Sequence, residues 1–84
     1  MSDRITIYWR PGCPFCSRLQ HGLKRSNLEY TELNIWEDGD AAAFVRSVNH
    51  GNEVVPTVVV GDTVLVNPRL RDVVSAASAA ENAA

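Results

Sequence analysis

The chain has 84 residues, 45% of them hydrophobic and 21% charged, with a formal net charge of −2. That length allows one domain, expected to span residues 1–84, with one modest core. The slightly acidic balance argues against a nucleic-acid partner, and no apolar run approaches the ~20 residues that cross a bilayer.

Met1-Ser2-Asp3-Arg4 is not followed by an apolar signal core, so a cytoplasmic location is the expectation. Residues 4–8, Arg-Ile-Thr-Ile-Tyr, alternate and are β-branched, which predicts a first strand. Pro11-Gly12 ends it. Pro14 suits the first turn of a helix, where its missing N–H would be unpaired anyway. Cys16, Leu19 and Leu23 make a helical stripe that should end near Ser26-Asn27. Leu28 to Ile35 reads as a second strand. Asp38 or Asp40 can cap a second helix with Ala41, Phe44, Val45 and Val48 on its apolar face. His50-Gly51-Asn52 ends that helix.

Val54 to Val60 reads as a third strand with Pro56 at its entrance. Gly61-Asp62 is a two-residue turn signal, and Thr63 to Val66 completes a hairpin. Asn67 is expected to cap a third helix with Pro68 in its first turn. Leu70, Val73, Val74 and Ala77 supply that helix's stripe. From about residue 77 to 84 a small, polar tail should fray. The order is βαβαββα, an α/β fold with a four-stranded mixed sheet covered by three helices. The first crossover makes strands one and two parallel and right-handed, and the hairpin adds two antiparallel strands.

Chemistry concentrates at Gly12-Cys13-Pro14-Phe15-Cys16, which holds the chain's only 2 cysteines. A lone cysteine pair in a reducing compartment is more often catalytic or metal-binding than a structural staple. Two intervening residues put both thiols on one helical turn, with Cα atoms roughly 5 Å apart, a separation a disulfide tolerates. Cys13 falls at the helix N-terminus, where free N–H groups and the macrodipole favour a thiolate, and Arg10 adds a cation nearby. Cys16 lies one turn inward on the Leu19–Leu23 stripe, so it should be a buried, protonated thiol. The asymmetry makes Cys13 the exposed nucleophile and Cys16 the resolving thiol. A zinc site needs about four ligands. Only His21 and His50 could join the pair, and their spacing fits no common pattern. No metal is expected, and both histidines read as surface residues.

Val55-Pro56 is a second candidate element. A proline entering a strand removes a ladder donor. The residues leave two arrangements open. One is an ordinary trans proline at a strand edge. The other is a cis bond that turns the Val55 backbone N–H and C=O toward an extended ligand, as an added strand would be held.

From residue 4 to about 76 the chain resembles a glutaredoxin of the thioredoxin superfamily. The resemblance rests on Cys13-Pro14-Phe15-Cys16, on Val55-Pro56 and on the βαβαββα order. Thioredoxins typically carry Trp-Cys-Gly-Pro-Cys instead. The resemblance implies a thioredoxin/glutaredoxin-like fold and a cis Pro56. It also puts Val55, Pro14 and Phe15 beside the substrate, and Arg10 where many glutaredoxins face the substrate thiol's carboxylate with a basic residue. Glutathione-using members typically follow the fourth strand with a Gly-Gly…Asp element that grips the γ-glutamyl end. Here the segment is Val66-Asn67-Pro68-Arg69-Leu70. Asn67-Pro68, with Ser47-Val48-Asn49-His50-Gly51-Asn52 ahead of Val55-Pro56-Thr57, is similar to the mycoredoxins. Those glutaredoxin-like reductases serve mycothiol, a cysteinyl-glucosamine-inositol thiol, although their usual motif has Gly where this chain has Pro14.

The resemblance implies a thiol-disulfide oxidoreductase that reduces mixed disulfides between proteins and a small thiol, mycothiol first among them. The thiol is a co-substrate and no cofactor is expected to be bound. A monothiol route needs only Cys13. A dithiol route forms the Cys13–Cys16 disulfide and calls for a thiol reductase or thioredoxin reductase. The alternatives are a dithiol electron donor of the ribonucleotide-reductase type, whose usual Gly-Phe-Arg-Pro stretch is missing here, and an iron–sulfur carrier, against which Pro14 argues. A redox-silent domain would leave Cys13 unresponsive to oxidised thiols. A monomer is expected.

Overall fold

The structure, a computed structural model, describes residues 5–82, with side chains as far as residue 79. The elements run β1 (Ile5–Trp9), α1 (Pro14–Arg25), β2 (Thr31–Asn34), α2 (Gly39–Val48), β3 (Thr57–Val60), β4 (Thr63–Val66) and α3 (Leu70–Asn82). The expected start of the first strand at Arg4 lies outside the described residues. The βαβαββα order and the mixed sheet are as the sequence predicts. Strands lie in the order β2-β1-β3-β4, with β1 and β2 parallel and both other pairings antiparallel.

Alternation along the strands divides the sheet between two cores. Ile5, Ile7, Val58 and Val60 point to one face, where Leu19 and Leu23 of α1 and Val73 and Ala77 of α3 close over them. Tyr8 and Leu33 point to the other face and meet Ala41, Ala42 and Val45 of α2. Tyr8 stacks on Phe44 with ring centroids 4.9 Å apart, tying α2 to the central strand. Gly22 sets the approach of α1 to α3. A Cβ there would lie 2.9 Å from Leu70 Cδ2.

Local chemistry explains the element ends. Asp38, not Asp40, caps α2, its carboxylate accepting the Ala41 N–H at 3.1 Å. Gly61 turns the hairpin with φ 59°, a conformation that L side chains disfavour at the first turn position. The second strand is shorter than expected, since Leu28 and Tyr30 pack against the α1–α3 core before the ladder with β1 begins at Thr31.

One expectation about the last helix is corrected. Asn67 does not cap it. Asn67 takes φ 50° at the end of β4, and the helix starts at Leu70. Asp72 reaches back to accept the Arg69 N–H at 2.9 Å, half of a capping box. The tail expected from about residue 77 is helical over the described residues, since α3 runs on to Asn82. Ala77 is buried in the core and anchors this stretch, and alanine has the highest helix propensity. The tail's last residues, 83–84, lie outside the described residues.

Candidate active site

The topology brings four strand ends to one edge of the sheet. The register pairs Trp9 with Asn34, Tyr8 with Thr57 and Thr57 with Val66. Residues just beyond those pairs therefore share an edge: Arg10 and the cysteine loop after β1, Trp36 after β2, Pro56 before β3, and Asn67 after β4. In open α/β sheets this carboxyl edge of the parallel strands is where ligands bind.

Cys13 is the N-cap of α1 and Pro14 its first residue. The cap role is taken by sulfur: the Cys16 N–H donates to Cys13 Sγ at 3.2 Å. Cys16 is 1% exposed, and its thiol is hydrogen-bonded to Cys13. Its pKa is pushed up to about 12, first by burial and next by its hydrogen bond to Cys13, against the lowering influence of the Arg10 main chain and guanidinium. Cys16 is thus the buried, protonated thiol that the stripe predicts. Both cysteines are free thiols.

Cys13 corrects one expectation. It is only 6% exposed, because the loop before β3 folds over it, and its thiol points at the Val55 carbonyl oxygen with S···O 3.8 Å. The Val55-Pro56 bond is cis. Pro56 is buried and Val55 half-buried. Phe15 is 58% exposed beside Cys13, and Pro14 is also exposed.

A network that the residue pattern did not signal holds the loop before β3. Thr57 is fully buried, and its hydroxyl donates to the Val54 carbonyl at 2.7 Å. Asn49, at the end of α2, donates to Val45 O at 2.9 Å and to Thr57 Oγ1 at 3.4 Å. Among the described residues no buried side-chain N or O is left unpaired. On the other side, the Asn67 N–H donates to the Pro56 carbonyl at 2.8 Å, so the turn after β4 clamps the proline. Asn67 is exposed and Pro68 half-buried.

Arg10 lies above the Trp36 ring, its guanidinium carbon 5.8 Å from the centroid. Such a pair contributes roughly 0.5–1 kcal/mol at an exposed site. Trp36 was not singled out by the sequence reading. The only available signal was an aromatic residue two positions after Asn34, whose side chain accepts the Trp36 N–H at 2.9 Å. His21 and His50 are both exposed, as expected. Among the described residues no group of three His, Cys, Asp or Glu could hold a metal ion. Nor is any described helix long and apolar enough to cross a membrane.

The edge therefore presents a sulfur nucleophile candidate, a buried partner thiol one turn away and a main-chain carbonyl alongside. Comparison with known proteins agrees with that geometry. The family model for glutaredoxin matches residues 5–65. Mycoredoxin 1 of Corynebacterium glutamicum is 38% identical over 87% of this chain and 91% of its own. A Mycobacterium tuberculosis protein whose name assigns it to the glutaredoxins is 41% identical over 82% of this chain and 83% of its own. The glutaredoxin-like NrdH-redoxin of Escherichia coli superposes with a TM-score of 0.75 at 25% identity, over 86% of this chain and 92% of its own. The buckwheat glutaredoxin–glutathione complex shares the fold at a TM-score of 0.72 and 18% identity, over 95% of this chain and 81% of its own. The chain belongs to the glutaredoxin family, thiol oxidoreductases built on the thioredoxin-like fold.

Proposed function

We propose that this chain reduces mixed disulfides between proteins and a neutral, sugar-bearing small thiol of the mycothiol type. The observation that carries this reading is the state of the main chain between β4 and α3. Binding a γ-glutamyl carboxylate there would take free backbone N–H groups. The Asn67 N–H is already given to Pro56 O, Pro68 has none, and the Arg69 N–H is given to the Asp72 carboxylate. Positions 67–69 thus offer no free main-chain donor, and the Asp72 carboxylate at Arg69 adds a negative charge beside them. The exposed Asn67 amide both donates and accepts neutral hydrogen bonds, which suits hydroxyl groups. The similarity to Mycoredoxin 1 supports the same thiol.

In the monothiol route the Cys13 thiolate attacks the small-thiol sulfur of the mixed disulfide. A Cys13–small-thiol disulfide forms, the original S–S bond breaks, and the client protein leaves as a thiolate that takes a proton from water. A second small thiolate then attacks that sulfur, releasing the symmetrical small-thiol disulfide and the Cys13 thiolate. In this reading the Val55 carbonyl, 3.8 Å from the sulfur, accepts an N–H of the bound thiol. In the dithiol route Cys16 displaces the small thiol and leaves Cys13–Cys16 oxidised for a reductase. The similarity to NrdH-redoxin, which has a thioredoxin-like activity profile, favours that route as a second reading. The burial of Cys16 one turn from Cys13 supports that reading.

The test offers the same protein thiol as mycothiol- and glutathione-mixed disulfides, each with its matching reductase. We expect the mycothiol form to turn over at least roughly tenfold faster, which requires only about 1.4 kcal/mol of differential transition-state binding. Equal or faster turnover with glutathione refutes the mycothiol reading.

A further inference from the structure

Trp36 is the most exposed large apolar side chain among the described residues, at 63%. Its backbone is nevertheless tied to the sheet edge. The Ile35 N–H donates to Trp9 O at 2.9 Å, extending the β1–β2 ladder by one step. The Asn34 side chain holds the Trp36 N–H. The indole is thus mounted at the sheet edge beside the segment that leads from β1 to Cys13. Arg10 lies over it, and among the described residues no carboxylate pairs with that guanidinium. The guanidinium also donates a 3.4 Å hydrogen bond to Pro11 O. Arg10 is also close enough to act electrostatically on Cys16. The Arg10–Trp36 pair therefore lies at the same sheet edge as the cysteine loop.

From this placement we infer that Trp36 and Arg10 form the carbohydrate subsite for the small thiol, with Trp36 as a specificity-determining residue. The inference rests on the sugar-bearing thiol proposed above. A pyranose or cyclitol ring presents an apolar C–H face and a rim of hydroxyl groups. An exposed indole accepts the first, as aromatic side chains do in ligand sites. A guanidinium over an aromatic ring still has further N–H groups to donate to hydroxyl oxygens. Glutathione has no ring to lay on the indole. Stacking on Trp36 therefore favours the glycosylated thiol independently of the missing donors between Asn67 and Arg69.

Steady-state kinetics on mycothiol- and glutathione-mixed disulfides of one peptide test this in the full chain and in Trp36→Ala and Trp36→Phe. For Trp36→Ala we expect KM for the mycothiol form to rise at least fivefold. Its kcat should change less than twofold, and KM for the glutathione form should stay within twofold. Trp36→Phe keeps an aromatic face and should restore most of the loss. If the unaltered protein prefers the mycothiol form while Trp36→Ala leaves that KM within twofold, or raises both KM values equally, the subsite is refuted and the thiol assignment stands. If the unaltered protein prefers glutathione, the thiol assignment fails and the subsite fails with it.

Discussion

Cys13 and Cys16 are chemically identical side chains three residues apart, and their surroundings divide the labour between them. Cys16 receives burial and a hydrogen bond that both favour its neutral form, while Cys13 Sγ accepts the N–H that a helix N-terminus leaves free. Cys13→Ser is expected to abolish turnover of any mixed disulfide. Cys16→Ser should retain activity on small-thiol mixed disulfides, because the monothiol route never uses the buried partner. Loss of that activity in Cys16→Ser would make the dithiol route obligatory. The raised Cys16 pKa also has a stability consequence. The folded thiol holds its proton up to about 12, against an ordinary value of 9.0, so the unfolded chain releases it first. Stability from Cys16 is fully present below pH ~9 and is lost as pH rises toward 12, at a rate on the order of 1 kcal/mol per pH unit. Melting curves of the reduced protein between pH 8 and 11 should show this alkaline loss, and Cys16→Ser should lessen it.

At the scale of elements, the capping and loop contacts each make a separable contribution. Asp38→Ala removes the acceptor for the Ala41 N–H and should cost about 1 kcal/mol, a fall of roughly 4–8 °C in Tm for a domain this size. The loop before β3 depends on Thr57, whose hydroxyl is bonded on both sides in a fully buried position. Thr57→Val keeps the shape and deletes both bonds. It leaves the Val54 carbonyl without that donor, a loss of about 1–3 kcal/mol. Because Val55 follows Val54 and faces Cys13, KM for mixed disulfides should rise severalfold as well. A Thr57→Val protein with unchanged KM would show that the hydroxyl serves stability alone.

For the whole molecule, two helices pack on one face and one on the other, so the α1–α3 side carries the larger core. Leu23 is fully buried there between α1, α3 and the sheet. Leu23→Ala should cost about 2–5 kcal/mol, a large part of the 5–15 kcal/mol that stabilises a typical domain. Urea unfolding should show the midpoint falling with little change in m. The same packing explains why the sheet edge can serve as a site. The cores hold the strands in register, and four loops inherit their positions from that register.

Much of this was legible along the chain itself. Most strands and helices follow from a period of 2 or 3.6 or from a β-branched run, and most turns from Gly, Pro, Asn or Asp. The cysteine pair is legible because its chemistry is local: one helical turn sets the distance and the N-terminal N–H groups supply the partner. What only the tertiary structure decided depends on partners remote in sequence. Asn67 looked like a helix cap because its side chain can cap, but its backbone N–H is claimed by Pro56 and its φ of 50° keeps it outside the helix. Cys13 looked exposed because a helix start usually is, but the Val55 loop, 42 residues further on, closes over it. Trp36 carries no periodic or motif signal in the sequence, and only the β1–β2 ladder sets it under Arg10. Local propensity describes what one segment can do alone. Hydrogen-bond claims, burial and cation–aromatic contacts between segments exist only once the sheet has brought its strand ends together.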